Sequence, residues 1–281
     1  MTSAALTQPG PGTPSRAARA AQRVWYYLPA VVVFVGAVGL WEVVVRNIDL
    51  RGLPLPAPSA IVAALAENWS SGRWPLAKAA GSTLFEALGG LAIGTSLGVI
   101  VAFVTARFAS ARELLLPLAV GASAVPIIAF APLMNNWFGV LNPLSKMMIV
   151  AVLVFFPVVV NVTRGLTQVE PAAVELLRSY AASEWTVLRV LRMPNALPYF
   201  FTALKIGTTL SLIGAIVGEY FGGASDVLGR VVVQSASALR FDVTWAAIIL
   251  AAVTGIVMYL VTLAVERTVI PWHASLRSPE P

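Results

Sequence analysis

The chain has no cysteine, one histidine, and charges at only 11% of its 281 positions. The missing cysteine excludes disulfides, thiolate metal sites and cysteine nucleophiles, and leaves the redox compartment unread. The lone His273 stands near the C-terminus, so a histidine metal cluster and a Ser-His-Asp triad are excluded too. No G-x-x-x-x-G-K-[ST] phosphate loop is present, so the chain carries no ATPase motif of that kind. What is abundant is apolar: 58% of residues, with a mean hydropathy of +0.82. Soluble domains carry about 25% charged residues. A water-soluble fold of this length cannot bury so much apolar surface, and the chain reads as a membrane protein. Its 21 Gly and 19 Pro suit a helical membrane bundle. The net charge of +6 fits loops that collect Lys and Arg better than nucleic-acid binding, so no nucleic-acid partner is expected.

Six apolar runs have the ~20-residue length of a membrane span. They are residues 24–45, 84–104, 114–134, 144–162, 203–221 and 245–265. Residues 1–22 read as a disordered basic tail. A signal peptide is the rival reading, but the first run is long and lacks a clear cleavage site, which favours an uncleaved helix. With the N-terminus inside, the inner segments hold eleven basic residues and the outer segments seven. Both termini are therefore expected on the cytoplasmic side. Residues 23–78 form the first helix and a Pro-rich outer loop, in which Ser59 suits the cap of a short helix reaching Glu67. Residues 79–268 form a five-helix core with a cytoplasmic loop at 163–195, and residues 269–281 form a C-terminal tail.

The loop at 163–195 is longer than a connector and reads as helix. Glu170-Pro171 opens it, and Val174, Leu177, Tyr180 and Ala181 recur at helical spacing. Ser183 suits the cap of a second helix over 184–191, which Met193-Pro194 is expected to end. Such a pair either rests on lipid headgroups or docks a cytoplasmic partner.

Here the sequence resembles a known family. Glu175-Leu176-Leu177 and Ala181, followed by Leu191-Arg192-Met193-Pro194, resemble the signature loop of ABC importer permeases: EAA, three residues, Gly, nine residues, I-x-L-P. Glu175 and Pro194 match, Ala181 stands where Gly is expected, and the spacing holds throughout. Ala129-Phe130-Ala131-Pro132-Leu133, Trp137-Phe138-Gly139, Ser145-Lys146, Phe155-Phe156-Pro157 and Gly218-Glu219-Tyr220-Phe221-Gly222-Gly223 are similar to the nitrate/sulfonate/taurine branch, which includes thiamine-precursor and riboflavin permeases.

The resemblance implies an all-α, six-helix type I importer permease in a bacterial inner membrane. It implies a second permease copy, a cytoplasmic ATPase dimer that holds ATP-Mg, and an external solute-binding protein, with no cofactor bound by this chain. It makes Glu175, Arg178, Ala181, Ala182, Ser183 and Pro194 the ATPase-coupling residues. The residues allow blander roles as well. Glu175 suits the positive end of the loop helix, and Arg178, Arg189 and Arg192 suit headgroup phosphates as well as ATPase carboxylates. A self-contained secondary carrier or channel is the alternative class, while nothing supports a membrane enzyme.

Candidate path residues are the polar and kinking positions at membrane depth: Ser123, Pro126, Pro132, Thr208, Thr209, Ser211 and Glu219. Ordinary helix packing is the alternative for the hydroxyls. Glu86 is expected to snorkel to the outer interface or to face a partner, and Glu219 to line a gate. The substrate stays open between a sulfonate-, taurine- or nitrate-like anion, a thiamine pyrimidine precursor and riboflavin.

Overall fold

The computed structural model describes residues 16–47, 54–123 and 125–271 and is helical, with no strand among them. It divides into two units, residues 1–60 and 61–281.

The first unit is built on α1 (Arg16–Asn47). Its stretch Trp25–Asn47 has a mean hydropathy of 2.3, sufficient to cross a bilayer. The helix begins at Arg16, inside the segment expected to be a disordered tail, while residues 1–15 lie outside the described residues. At its other end Glu42 pairs with Arg46 and accepts the Ser59 N–H at 3.0 Å and hydroxyl at 2.7 Å. Ser59 therefore does not cap α2 (Pro58–Glu67). It is the second residue of that helix, and its hydroxyl is taken by Glu42.

Among its described residues the second unit contains four long apolar helices: α3 (Leu76–Arg107), α6 (Pro143–Thr167), α9 (Met193–Tyr220) and α11 (Phe241–Val269). Each extends beyond its apolar run at one end or both, since a helix can continue past its apolar stretch until its polar ends are solvated. α6 is the central helix, with α3 and α9 packed on it. Val150, Val154, Val158 and Val162 recur every four residues along α6 and form the core with Leu91, Ala87 and Ala203. Close approach of α3 depends on small residues. A Cβ at Gly98 would stand 2.8 Å from Val158 Cβ, and one at Gly94 would stand 3.0 Å from Ala151 Cα.

The third expected span is not one straight helix. α4 (Ala109–Ala122) and α5 (Phe130–Phe138) bracket a short 3₁₀ turn, and the two arms meet at 84°. Pro126 explains the break: it has no N–H to donate and lies in extended geometry (φ −62°, ψ 113°). Pro132 causes no break, because it sits in the first turn of α5, where that donor is not needed.

Between α6 and α9 lies a hairpin of α7 (Pro171–Ser179) and α8 (Glu184–Val187). A π turn, Leu188–Arg192, joins α8 to α9 without a stop. Met193-Pro194 therefore does not end the loop helix. Pro194 is the second residue of α9, which directly follows the π turn. Helix α10 (Leu228–Ser237) packs against α9, α11 and α3 at the opposite end of the bundle. Residues 272–281, including His273 and most of the expected C-terminal tail, lie outside the described residues.

Candidate functional site: the loop hairpin and the buried charge cluster

The hairpin is fixed at its base and bare at its tip. At the base, Asn195 Nδ2 donates to the carbonyls of Gly165 (2.7 Å) and Gln168 (3.2 Å), closing the end of α6 against the start of α9. Gly165 permits that contact, since a Cβ there would lie 2.7 Å from Ala196 Cα. The Thr105 and Thr163 hydroxyls meet at 2.7 Å nearby and join α3 to α6.

The turn follows from sequence chemistry. Glu170 occupies the cap position of α7, and Pro171 its first turn. The helix closes with Ala182 N–H on the Leu177 carbonyl and Ala181 N–H on the Arg178 carbonyl, at 3.0 and 2.9 Å. Such a closure puts one residue in the left-handed region, and Ala181 occupies it at φ +53°. That is the physical reason for glycine in the signature pattern, and alanine there carries strain. Ser183 then caps α8 through Thr186 N–H at 3.2 Å. Arg178 and Glu184 pair across the turn at 3.2 Å.

Glu175 is the fifth residue of α7, beyond the turn in which a carboxylate caps or feels the helix dipole strongly. It is exposed and has no side-chain partner among the described residues. Leu176, Tyr180 and Trp185 are exposed beside it, an apolar patch rimmed by charge. Pro194 is also exposed, and Ala182 half-buried.

The second cluster lies at the opposite end of the same helices. Glu86 on α3, Lys146 on α6 and Glu219 on α9 are 5%, 1% and 0% exposed and interact electrostatically. The Lys146 ammonium donates to Asn135 Oδ1 at 3.3 Å and to the Val140 carbonyl. Glu219 Oε2 accepts the Gly229 N–H at 2.6 Å, while Thr83 Oγ1 accepts the Leu228 N–H at 2.9 Å. These two N–H groups open α10, whose own cap residue Val227 offers no acceptor. Glu219 and Thr83 thus serve as a cap supplied by neighbouring helices, with the carboxylate at the positive end of α10. Glu86 does not snorkel: its side chain is buried against Glu219 and Lys146. Nearby, the Lys78 ammonium lies 3.0 Å from Asp226 and holds that carboxyl below the usual carboxylate range.

The expected path residues are not gathered into one site. Ser123, Pro126 and Pro132 are exposed on the bent segment, and Thr209 is exposed on α9. Thr208, Ser211 and Glu219 are buried inside the chain. Unsatisfied hydroxyls were expected to force these positions toward a polar path. Instead Thr208 and Ser211 donate to the Lys205 and Thr208 carbonyls of their own helix at 2.8 and 2.9 Å, and Ser123 donates to the Val120 carbonyl. A hydroxyl satisfied by the preceding turn places no demand on what it faces. Lys146, Asn135 and Thr83 went unrecognised as a unit, although a lysine bordering an apolar run is a signal of a buried partner.

Residues 94–271 match the family of binding-protein-dependent transport system inner membrane components. The chain belongs to this family. The permease is 31% identical over 177 residues to a Haemophilus influenzae protein named as a probable ABC transporter permease, covering 63% of this chain and 71% of that one. It is 27% identical over 233 residues to the riboflavin transport system permease protein RibX of Chloroflexus aurantiacus, covering 82% and 85%. It is 29% identical over 255 residues to the formylaminopyrimidine transport permease protein ThiX of Halalkalibacterium halodurans, covering 90% and 98%. The permease is thus a multi-pass membrane component of the ABC transport class, and the match includes both the hairpin and the charge cluster's Lys146 and Glu219.

Proposed function

We propose that the permease is one half of the membrane path of an ATP-driven importer, paired with a second copy in a bacterial inner membrane. The hairpin lies on the cytoplasmic side with both termini, and docks an ATPase that binds and hydrolyses ATP-Mg. An external binding protein delivers a small organic solute or anion at the opposite face. The named relatives favour a heteroaromatic solute of riboflavin or pyrimidine type, with sulfonates and taurine as the other class.

The observation that carries this reading is the hairpin: a fixed base, a strained turn, and an exposed patch of Glu175, Leu176, Tyr180 and Trp185. A patch of this kind suits a protein partner. Its motion has a route through the membrane, because α8 runs on into α9 without a flexible joint. α9 spans 28 residues, about 42 Å at 1.5 Å per residue. At its far end Glu219 grips the start of α10. A tilt imposed on the hairpin is therefore delivered to α10 and, through Glu86 and Lys146, to α3 and α6. Ser123, Pro126, Pro132 and Thr209 face outward from this chain and line the path with the second copy, while Thr208 and Ser211 back them from inside.

The test is uptake into proteoliposomes holding permease, ATPase and binding protein. Glu175→Lys abolishes ATP-dependent uptake and leaves membrane insertion intact. Uptake by the wild type that persists without ATP contradicts the proposal and favours a self-contained carrier.

A further inference from the structure

Two cavities lie side by side at the hairpin end of the bundle and share Phe103. One, about 440 Å³, is walled by Val99, Phe103, Val162, Leu166 and Phe200, with Arg189 as its polar member. These apolar residues belong to α3, α6 and α9, three of the helices long and apolar enough to cross a membrane. The other, about 410 Å³, is lined by Phe103, Arg107, Trp185 and Arg192. Arg192 Nε is buried with no hydrogen-bond partner. Arg107 and Arg189 have no ion-pair partner among the described residues. Glu184 also lines the second cavity, but its carboxylate is engaged by Arg178.

We propose that the paired cavities form a binding site for one anionic phospholipid. Three guanidinium groups beside an apolar slot match a phosphate joined to an acyl chain. Guanidinium forks pair with phosphate oxygens, and the uncharged slot takes the chain segment. Trp185 lines the second cavity beside Arg107 and Arg192, and indole rings favour the headgroup region. A water-soluble subunit could reach the arginines but would leave the slot empty; a lipid fills both. The bound lipid joins the end of α3 to the π turn that carries Arg189 and Arg192, and so steadies the junction through which the hairpin pulls on α9. The site requires only that the chain spans a membrane, although Pro194 and Trp185 in its lining also belong to the surface read above as ATPase-facing.

The experiment is native mass spectrometry of purified, delipidated permease offered equal amounts of phosphatidylglycerol and phosphatidylcholine. The wild type retains one phosphatidylglycerol in preference. Arg189→Gln/Arg192→Gln loses about five-fold of that preference per arginine. Val99→Trp narrows the slot and lowers retention of the lipid with all three arginines intact. Arg73→Gln, an exposed arginine before the far end of α3, leaves the preference unchanged, which separates a site from general basicity. Thermal unfolding of each variant confirms that it is folded. Equal retention of both lipids by the wild type overturns the proposal. So does an unchanged preference in Arg189→Gln/Arg192→Gln; if that variant also loses a co-purifying ATPase, the cavities belong to a protein interface.

Discussion

Replacing Lys146 by Met leaves Glu86 and Glu219 facing each other with no cation among the described residues of their cluster. Removing one partner of a buried charged group costs about 3–5 kcal/mol, because the remaining charge keeps its desolvation penalty. Two hydrogen bonds go as well, those to Asn135 Oδ1 and to the Val140 carbonyl. Methionine has similar bulk, so the cavity contribution is small. At about 2–4 °C per kcal/mol for a domain of this size, the melting temperature in detergent falls by roughly 6–20 °C. Adding Glu86→Gln removes one of the two facing carboxyl groups and restores part of the loss, so the double variant is more stable than the sum of the two single changes. Such coupling in a contacting network is about 0.5–3 kcal/mol. The assay is a double-mutant cycle by thermal or SDS-driven unfolding of the purified permease. A loss below about 1 kcal/mol for Lys146→Met, or strictly additive effects, refutes a shared charge network.

Other expectations concern the hairpin, the ion pair at the far end and the topology. Ala181→Gly relieves the left-handed strain at φ +53°, and the net gain of about 0.5–1 kcal/mol slows amide exchange at Ala182 by about three-fold; faster exchange would show that the turn is not strained. The depressed Asp226 carboxyl contributes stability that is present above its unfolded pKa near 4 and lost as pH falls through its folded value. Asp226→Asn therefore costs under about 1 kcal/mol at pH 7, the pair being largely solvent-exposed, and the difference from wild type shrinks below about pH 4; a constant difference at every pH would contradict it. The cysteine-free sequence suits topology labelling. Single cysteines at Ser71 and Ala181 are labelled by an impermeant reagent in intact cells only at position 71, and labelling at 181 reverses the orientation.

Much of this architecture was legible in the sequence because lipid imposes a simple requirement. Long apolar runs must be helices, and the runs at 84–104, 144–162, 203–221 and 245–265 lie within α3, α6, α9 and α11 apart from one residue at Phe221. The hairpin was legible too, since Glu170-Pro171 and Ser183 act through local backbone chemistry. One local signal misled: proline after Met193 looked like a stop, but a π turn carries the helix on through it. The hydroxyls of Thr208 and Ser211 bond to their own helix, so they do not by themselves mark a path. The charge cluster was legible only in pieces. Lys146 stood out only through the resemblance and Glu86 as a carboxylate at the outer interface, because one sequence does not reveal that α3, α6 and α9 bring them together. The cap on α10 is less visible still, since Thr83 lies 145 residues from the N–H it accepts.

The central claim is that the exposed face of α7 and α8 is where a cytoplasmic ATPase grips the permease. Co-purification of the cognate ATPase with permease variants tests it most directly. Leu176→Asp and Glu175→Lys change only exposed side chains, and both should reduce ATPase recovery by about ten-fold or more, as loss of an interface anchor does. Membrane insertion and the melting temperature of the permease should stay at wild-type values. Full ATPase recovery with both variants would contradict the claim and move the docking surface away from the hairpin.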